Sequence, residues 1–258
     1  MATENAPRKN IALALSGGGV RAAAHLGVVD VLRREGYAFE VIAGSSGGAL
    51  VAALLCDGFS TEAVRAIFRE FRRFDLVRHS RKGGMFSLDA IEKLLERHLC
   101  ASYLEDLETD CVIAATDLTE GRIHYFDKGP VARLAAASSS LIPFFAPVRY
   151  GNLLLCDGGF MENMPTHALT ERDLPIIGVN VNPILPQHPK NVMQTTYRAL
   201  VLMMQSNVEA SKEHADIYIE IEGCAPINIF DMARFDEAYE AGVKEAEAML
   251  SAGRLDLP

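Results

Sequence analysis

EVIAGSSGGALVA, residues 40–52, passes from an apolar run into a helix-like one through Gly44-Ser45-Ser46-Gly47-Gly48. These five residues fit G-x-S-x-G with Ser46 at the centre. The pattern needs glycine on both sides because the serine rides a sharp strand-to-helix turn where larger side chains collide. Such a turn aims Ser46 at a helix N-terminus, whose partial positive charge and free N–H groups favour developing negative charge. Ser45 has Ala43 on its upstream side and fits less well. Simple capping of the helix by Ser46 is the alternative that five residues leave open.

Working outward, the same strand, glycine turn, helix order occurs once more upstream. NIALAL (10–15) reads as a strand, SGGG as the turn, and VRAAAHLGVVDVLRREG (20–36) as a helix stopping at Gly36. FEVIAG (39–44) is the second strand and GGALVAALLCDG the second helix, ending at Gly58. Two such units in succession predict an α/β fold with a mainly parallel central sheet flanked by helices on both faces. Farther on, CVIAATDL and GRIHYF read as a hairpin turning at 119–121, and LPIIGVNVNP (174–183) as a buried strand entering a proline-rich loop. A long Met-rich helix over 191–214, the alternating strand DIYIEI and the helix FDEAYEAGVKEAEAML complete the chain. With no repeats or linker-like tracts, the expected organisation is one domain over 9–250, an N-terminal tail over 1–8 and a C-terminal tail over 251–258.

The first glycine turn, Ser16-Gly17-Gly18-Gly19-Val20-Arg21, exposes successive backbone N–H groups with no side chains in the way, which suits an anion. That anion is either a phosphate or the oxyanion of an acyl-transfer intermediate. Gly17-x-Gly19-x-x-Ala22 also satisfies the dinucleotide fingerprint, with Glu40 as its ribose ligand. The oxyanion reading uses both turns, because neighbouring strands of one sheet would bring them together. A serine nucleophile needs a base. Seven histidines are present (25, 79, 98, 124, 167, 188 and 214), and none stands in a setting that marks it as catalytic. In LLLCDGGFMENMP (153–165), Asp157 ends an apolar strand ahead of Gly158 and Gly159, which places a carboxylate beside permissive backbone; an Asx-turn is its other reading.

Bulk composition narrows the classes. The chain has 258 residues, 49% hydrophobic and 23% charged, as in an ordinary globular protein, and a formal net charge of −9 that argues against a nucleic-acid partner. Five cysteines without a CxxC pair read as buried thiols of a reducing compartment. The apolar run IALAL is shorter than the ~7–15 residue core of a signal peptide, and no stretch approaches the ~20 residues of a membrane span. The expected location is the cytoplasm. Against the acidic background, residues 65–82 hold seven Arg and Lys and two acids. The amphipathic segment 61–82 is thus either a solvated helix face or a site of transient contact with an anionic membrane surface. Neither an HExxH motif nor a Cys/His cluster is present, so no metal and no cofactor are expected.

SGGGVRAAAHLGVVDVL, GSSGGALVAALLCDG, AASSSLIPFFAPV and CDGGFMENMP, in that order, resemble the patatin-like phospholipases over roughly residues 9–250. The resemblance implies a three-layer patatin/lysophospholipase-type sandwich and a serine esterase acting on acyl esters of lipids. It implies Ser46 as nucleophile and Asp157 as its partner in a dyad without histidine. Gly17, Gly18 and Gly19 would supply the oxyanion hole with the N–H of Gly47. Arg21 matches the basic position of the family's glycine loop, where Ala22 replaces the usual glycine. Gly44, Gly48, Gly158 and Gly159 would be the supporting motif residues, and apolar residues such as Phe144 and Phe145 would line the acyl site. The same dyad would also serve an acyltransferase or a thioesterase. No oligomeric state is assigned by the sequence.

Overall fold

The computed structural model of the chain describes residues 9–71, 78–79 and 86–257. Its first half runs β1 (Lys9–Leu15), α1 (Ala23–Arg34), β2 (Tyr37–Ser45), α2 (Gly47–Cys56) and α3 (Thr61–Phe71), then the short pair β3 (Arg78–His79) and β4 (Phe86–Ser87), and α4 (Asp89–His98). Then come β5 (Asp110–Asp117), β6 (Arg122–Phe126), α5 (Val131–Ser138), β7 (Val148–Tyr150), β8 (Leu153–Asp157), β9 (Ile176–Asn180), α6 (Val192–Lys212), β10 (Ile217–Glu220) and α7 (Phe235–Ser251).

Strands β10, β9, β1, β2 and β5 lie side by side in that order, all parallel, while β6 and β8 pair antiparallel with β5 and β7 pairs antiparallel with β8. β1 is buried on both faces, as a central parallel strand must be. Ile11, Leu13 and Leu15 pack into the main core with α1, α2 and α7, whereas Ala12 and Ala14 face Met164, Leu169 and Val208 on the other side. The predicted α/β architecture with helices on both faces is the one observed. The chain leaves β1 for β2 on one flank and returns as β9 on the other. A sheet that reverses its winding this way opens a crevice at the carboxyl ends of the strands, the end at which the loop after β1 stands.

β5 organises the rest of the site. Val41–Ser45 of β2 pair with 110–114 of β5, while Leu155–Asp157 of β8 pair antiparallel with 115–117. β6 occupies the opposite edge over 113–117. β2 and β8 therefore abut end to end along one edge of β5, with Ser45 level with Ala114 and Asp157 level with Ala115.

The segment 251–258 is not wholly a tail, because Leu255 is buried and its carbonyl accepts a hydrogen bond from the Tyr37 hydroxyl. In the described part of the arginine-rich segment, Arg65 and Arg69 both reach Asp236 of α7, at 3.0 and 3.1 Å, and Arg65 also lies over the Tyr239 ring. These two arginines are tied to the protein's own surface, and Arg72 and Arg73 lie outside the described residues. Among the described residues no helix is long and apolar enough to cross a membrane.

Candidate active site

Ser46 stands at the first break after β2, with φ 51° and ψ −124°. A left-handed φ costs a serine on the order of 1–3 kcal/mol and persists only where its surroundings enforce it. Two features enforce it here. Gly48 lets the start of α2 lie against β1, since a Cβ there would strike the Leu15 carbonyl. Ser138, at the end of α5, accepts the Ser46 N–H at 2.8 Å and donates its hydroxyl to the Ala114 carbonyl at 2.6 Å. Gly44 and Gly47 flank the turn, and Gly47 opens α2. Ser45 is fully buried with its Oγ unpartnered among the described residues, which makes it a spacer.

The Ser46 hydroxyl donates to Asp157 Oδ2 at 2.7 Å. The other carboxylate oxygen accepts the Gly159 N–H at 2.9 Å, closing the turn that Gly158 begins. Asp157 is 2% exposed. Burial pushes its carboxyl from 3.8 up to about 6, with the bonds from Ser46 and Gly159 pulling the other way. At neutral pH the group is ionised, yet far more basic than an exposed aspartate.

Among the described residues no histidine bonds to Ser46 or Asp157. His25 Nε2 is bonded to the Ser16 carbonyl at 2.8 Å, and burial lowers its pKa to about 4, so it supports the glycine loop as a neutral ring. His167 faces His214 at 3.4 Å, and its backbone N–H donates to Glu162 at 3.0 Å.

The glycine loop lies against Ser46: a Cβ on Gly17 would sit 2.8 Å from Ser46 Cβ. Gly19 has φ +56°, and a Cβ there would strike the Ile229 carbonyl. One expected donor is corrected. Gly17 gives its N–H to the Asn163 carbonyl at 3.0 Å and cannot also serve an oxyanion. The N–H groups of Gly18, Gly19 and Gly47 have no hydrogen-bond partner among the described residues. Arg21 is 6% exposed and turns away from Ser46. Its guanidinium donates to the Ile227 carbonyl at 2.7 Å, to Asn182 Oδ1 at 3.3 Å and to the Ala225 carbonyl at 3.4 Å. Asn182 in turn donates to the Gly17 carbonyl, so Arg21 holds the loop through its second layer of contacts.

Geometry also takes Glu40 out of the part the dinucleotide reading gave it. Glu40 is exposed at the irregularity where Phe39 pairs with Ile11 and Val41 with Ala12, several residues short of the carboxyl end of β2. At ~3.3 Å per residue it stands roughly 13 Å back along the strand from the glycine loop.

Ser46 sits where two clefts meet. A narrow hollow of about 40 Å³ contains Asp157, Asn163 and Gly18 and is roofed by Tyr197, Leu200, Val201 and Met204 of α6. A larger cleft of about 240 Å³ is lined by Leu50, Phe68, Ile91, Leu141, Phe145 and Met232, and is almost wholly apolar. Phe145 lines this cleft as expected. Phe144 does not, being buried with its ring 5.4 Å from that of Phe230. Sequence reading missed Ser138 and Asn163, because nothing local separates Ser138 from Ser139 and Ser140, or marks Asn163 as the acceptor of the Gly17 N–H.

A family model described as Patatin-like phospholipase matches residues 13–170. The chain is 27% identical over 230 residues to the uncharacterized protein YqhO of Bacillus subtilis, covering 76% of this chain and 79% of that one. It is 33% identical over 176 residues to the uncharacterized NTE family protein Rv1063c of Mycobacterium tuberculosis, covering 67% of this chain and 47% of that one. Similarity to lysophospholipase NTE1 of Candida albicans is 24% over 288 residues, and there the match takes in 93% of this chain and 20% of the relative. Among solved structures, VipD from Legionella pneumophila superposes with a TM-score of 0.57 at 15% identity, over 96% of this chain and 67% of that one, which is a likeness of fold.

Proposed function

The chain belongs to the patatin-like phospholipase family, and from that premise we propose that it hydrolyses acyl esters of lipids through Ser46 and Asp157. The observation that carries the proposal is the 2.7 Å bond from the Ser46 hydroxyl to a buried, more basic Asp157 carboxylate.

In the first half-reaction Ser46 Oγ attacks the ester carbonyl while its proton passes to Asp157 Oδ2. The carbonyl π pair moves onto oxygen, and the N–H groups of Gly18, Gly19 and Gly47 receive the negative charge. Collapse of this intermediate breaks the bond to the alcohol, which leaves with the proton from Asp157, and the acyl group stays on Ser46. Water then attacks the acyl-enzyme and gives its proton to Asp157. A second collapse releases the fatty acid and returns the proton to Ser46. Two features support a lipid ester. The larger cleft reaches Ser46 and offers apolar walls to an acyl chain. The left-handed turn keeps Oγ at the mouth rather than in the core.

Purified protein tested on p-nitrophenyl esters and on lysophospholipid is expected to hydrolyse both, and Ser46→Ala to abolish turnover. Undiminished hydrolysis by Ser46→Ala sinks the proposal. A cytoplasmic setting belongs to the same reading, supported by five unpaired cysteines, of which Cys100 is exposed.

A further inference from the structure

A surface helix buried along one face ordinarily carries polar and charged residues on the other. α6 departs from this. Its inner face supplies Tyr197, Leu200, Val201 and Met204 to the roof over Ser46 and Asp157. Over 192–206 its outer face, through positions 192, 195, 199, 202, 203 and 206, is exposed and carries no charge, the first acid beyond it being Glu209, paired with Lys212 at 2.8 Å. Val192, Met193, Leu202 and Met203 are 83%, 51%, 46% and 63% exposed. Of the nine exposed large hydrophobic side chains among the described residues, five fall between positions 185 and 203. A sixth, Phe230, joins the margin of α6, its ring 6.4 Å from that of Tyr197. Leu185 is held there as well, its carbonyl accepting from Arg198 at 2.8 Å. Scattered apolar residues on a surface need no explanation, whereas a contiguous set beside a catalytic mouth does.

Charge selects the occupant. From 174 to 208 the chain has Lys190 and Arg198 and no Asp or Glu, in a protein of formal net charge −9. The segment is therefore apolar with cations at its edge and has no acid of its own, Glu209 and Asp231 marking where the acidic surface resumes. A face of this kind fits an interface where acyl chains lie under anionic head groups. The arginine-rich α3 is a poorer candidate, because the cations of its described part are already paired with Asp236.

We propose that the outer face of α6, with Leu185 and Phe230 at its margin, docks on the surface of an anionic lipid bilayer and sets the mouth of the Ser46 clefts against it. The choice of lipid as partner rests on the hydrolase reading above; the surface itself is tested without turnover. Docking would bury Leu202 and Met203 at the level of the acyl chains while Lys190 stays among the head groups. A lipid leaving the bilayer would then enter the larger cleft between Phe230 and Phe145, which both line it.

The chain has no tryptophan, so Met203→Trp creates a single fluorescent reporter. It is placed in the Ser46→Ala protein, which leaves the vesicles intact, and Tyr103→Trp, exposed but outside the patch, serves as control. With vesicles of phosphatidylcholine and phosphatidylglycerol, the Met203→Trp emission is expected to shift to shorter wavelength and to be quenched by lipids brominated along the acyl chain. The Tyr103→Trp emission is expected to do neither. Lys190→Ala should weaken partitioning about fivefold at low salt, the weight of one cation near an anionic surface. Three results overturn the proposal: no sedimentation of the protein with these vesicles, sedimentation with no change at Met203→Trp, or the same spectral shift on raising protein concentration without vesicles, which would mean that a second copy covers the face. If the patch docks as described but wild-type protein hydrolyses no acyl ester, the proposed function fails and the surface stands.

Discussion

Replacing Asp157 by Asn should make the protein more stable and nearly inactive at the same time. The carboxylate is 2% exposed, and burial carries its pKa from 3.8 to about 6. A raised folded-state pKa means that the folded chain holds the proton more tightly than the unfolded chain does. Ionised Asp157 therefore opposes folding above pH 6, and the penalty fades as pH falls through 6 and is gone below 3.8. At about 1.4 kcal/mol per tenfold change in proton affinity, the ionised group costs the fold about 3 kcal/mol at pH 8. Asn keeps the shape and can still accept the Gly159 N–H, but it has no charge to bury. Urea denaturation of both proteins from pH 3.5 to 8 is the assay. Asp157→Asn is expected to be the more stable by up to about 3 kcal/mol at pH 8, with the two curves converging near pH 4. Loss of the general base should lower kcat by about 10²–10⁴. If Asp157→Asn is the less stable protein at pH 8, or if the difference does not change with pH, Asp157 is not a desolvated carboxylate and the reasoning fails.

Other expectations follow from the same geometry. In the pH profile of kcat/KM, activity should fall about tenfold per pH unit below a midpoint near 6 and level off above it, because protonated Asp157 cannot take the Ser46 proton; a midpoint near 7.5 would point to a histidine base. Ser138→Ala leaves the Ser46 N–H and the Ala114 carbonyl without their bridge. It should cost about 1–3 kcal/mol in urea denaturation and about 100-fold in kcat through a displaced nucleophile, and wild-type kcat in a folded variant would count against the role given to Ser138. Gly19→Ala meets both a positive φ and the Ile229 carbonyl. Its kcat should drop about 10²–10³-fold with KM little changed, whereas a pure KM effect would remove the loop from the oxyanion site.

Much of this site was legible in the residues because its two main groups sit on turns with local signatures. Gly44-Ser45-Ser46-Gly47-Gly48 needs its glycines for steric reasons that operate within five residues, and the D-G-G of 157–159 marks a strand end in the same way. Their meeting was not legible as geometry. It depends on β8 running antiparallel and abutting β2 along one edge of β5, a matter of pairing partners that no local pattern encodes. Gly17 shows the same limit from the other side. A run of three glycines announces free N–H groups, but Asn163, far along the chain, takes one of them. Arg21 looked like part of an anion site by position, and its three acceptors lie on segments beyond residue 180. The charges of α3 read as a basic face because Asp236, which pairs with two of them, is distant in sequence.

The most direct measurement is labelling of the purified protein with a fluorophosphonate, followed by peptide mapping of wild type and Asp157→Asn. A label on the peptide bearing Ser46, lost or strongly slowed in Asp157→Asn, is the predicted result. A label on any other serine, or one on Ser46 that forms equally fast without the carboxylate, contradicts the dyad.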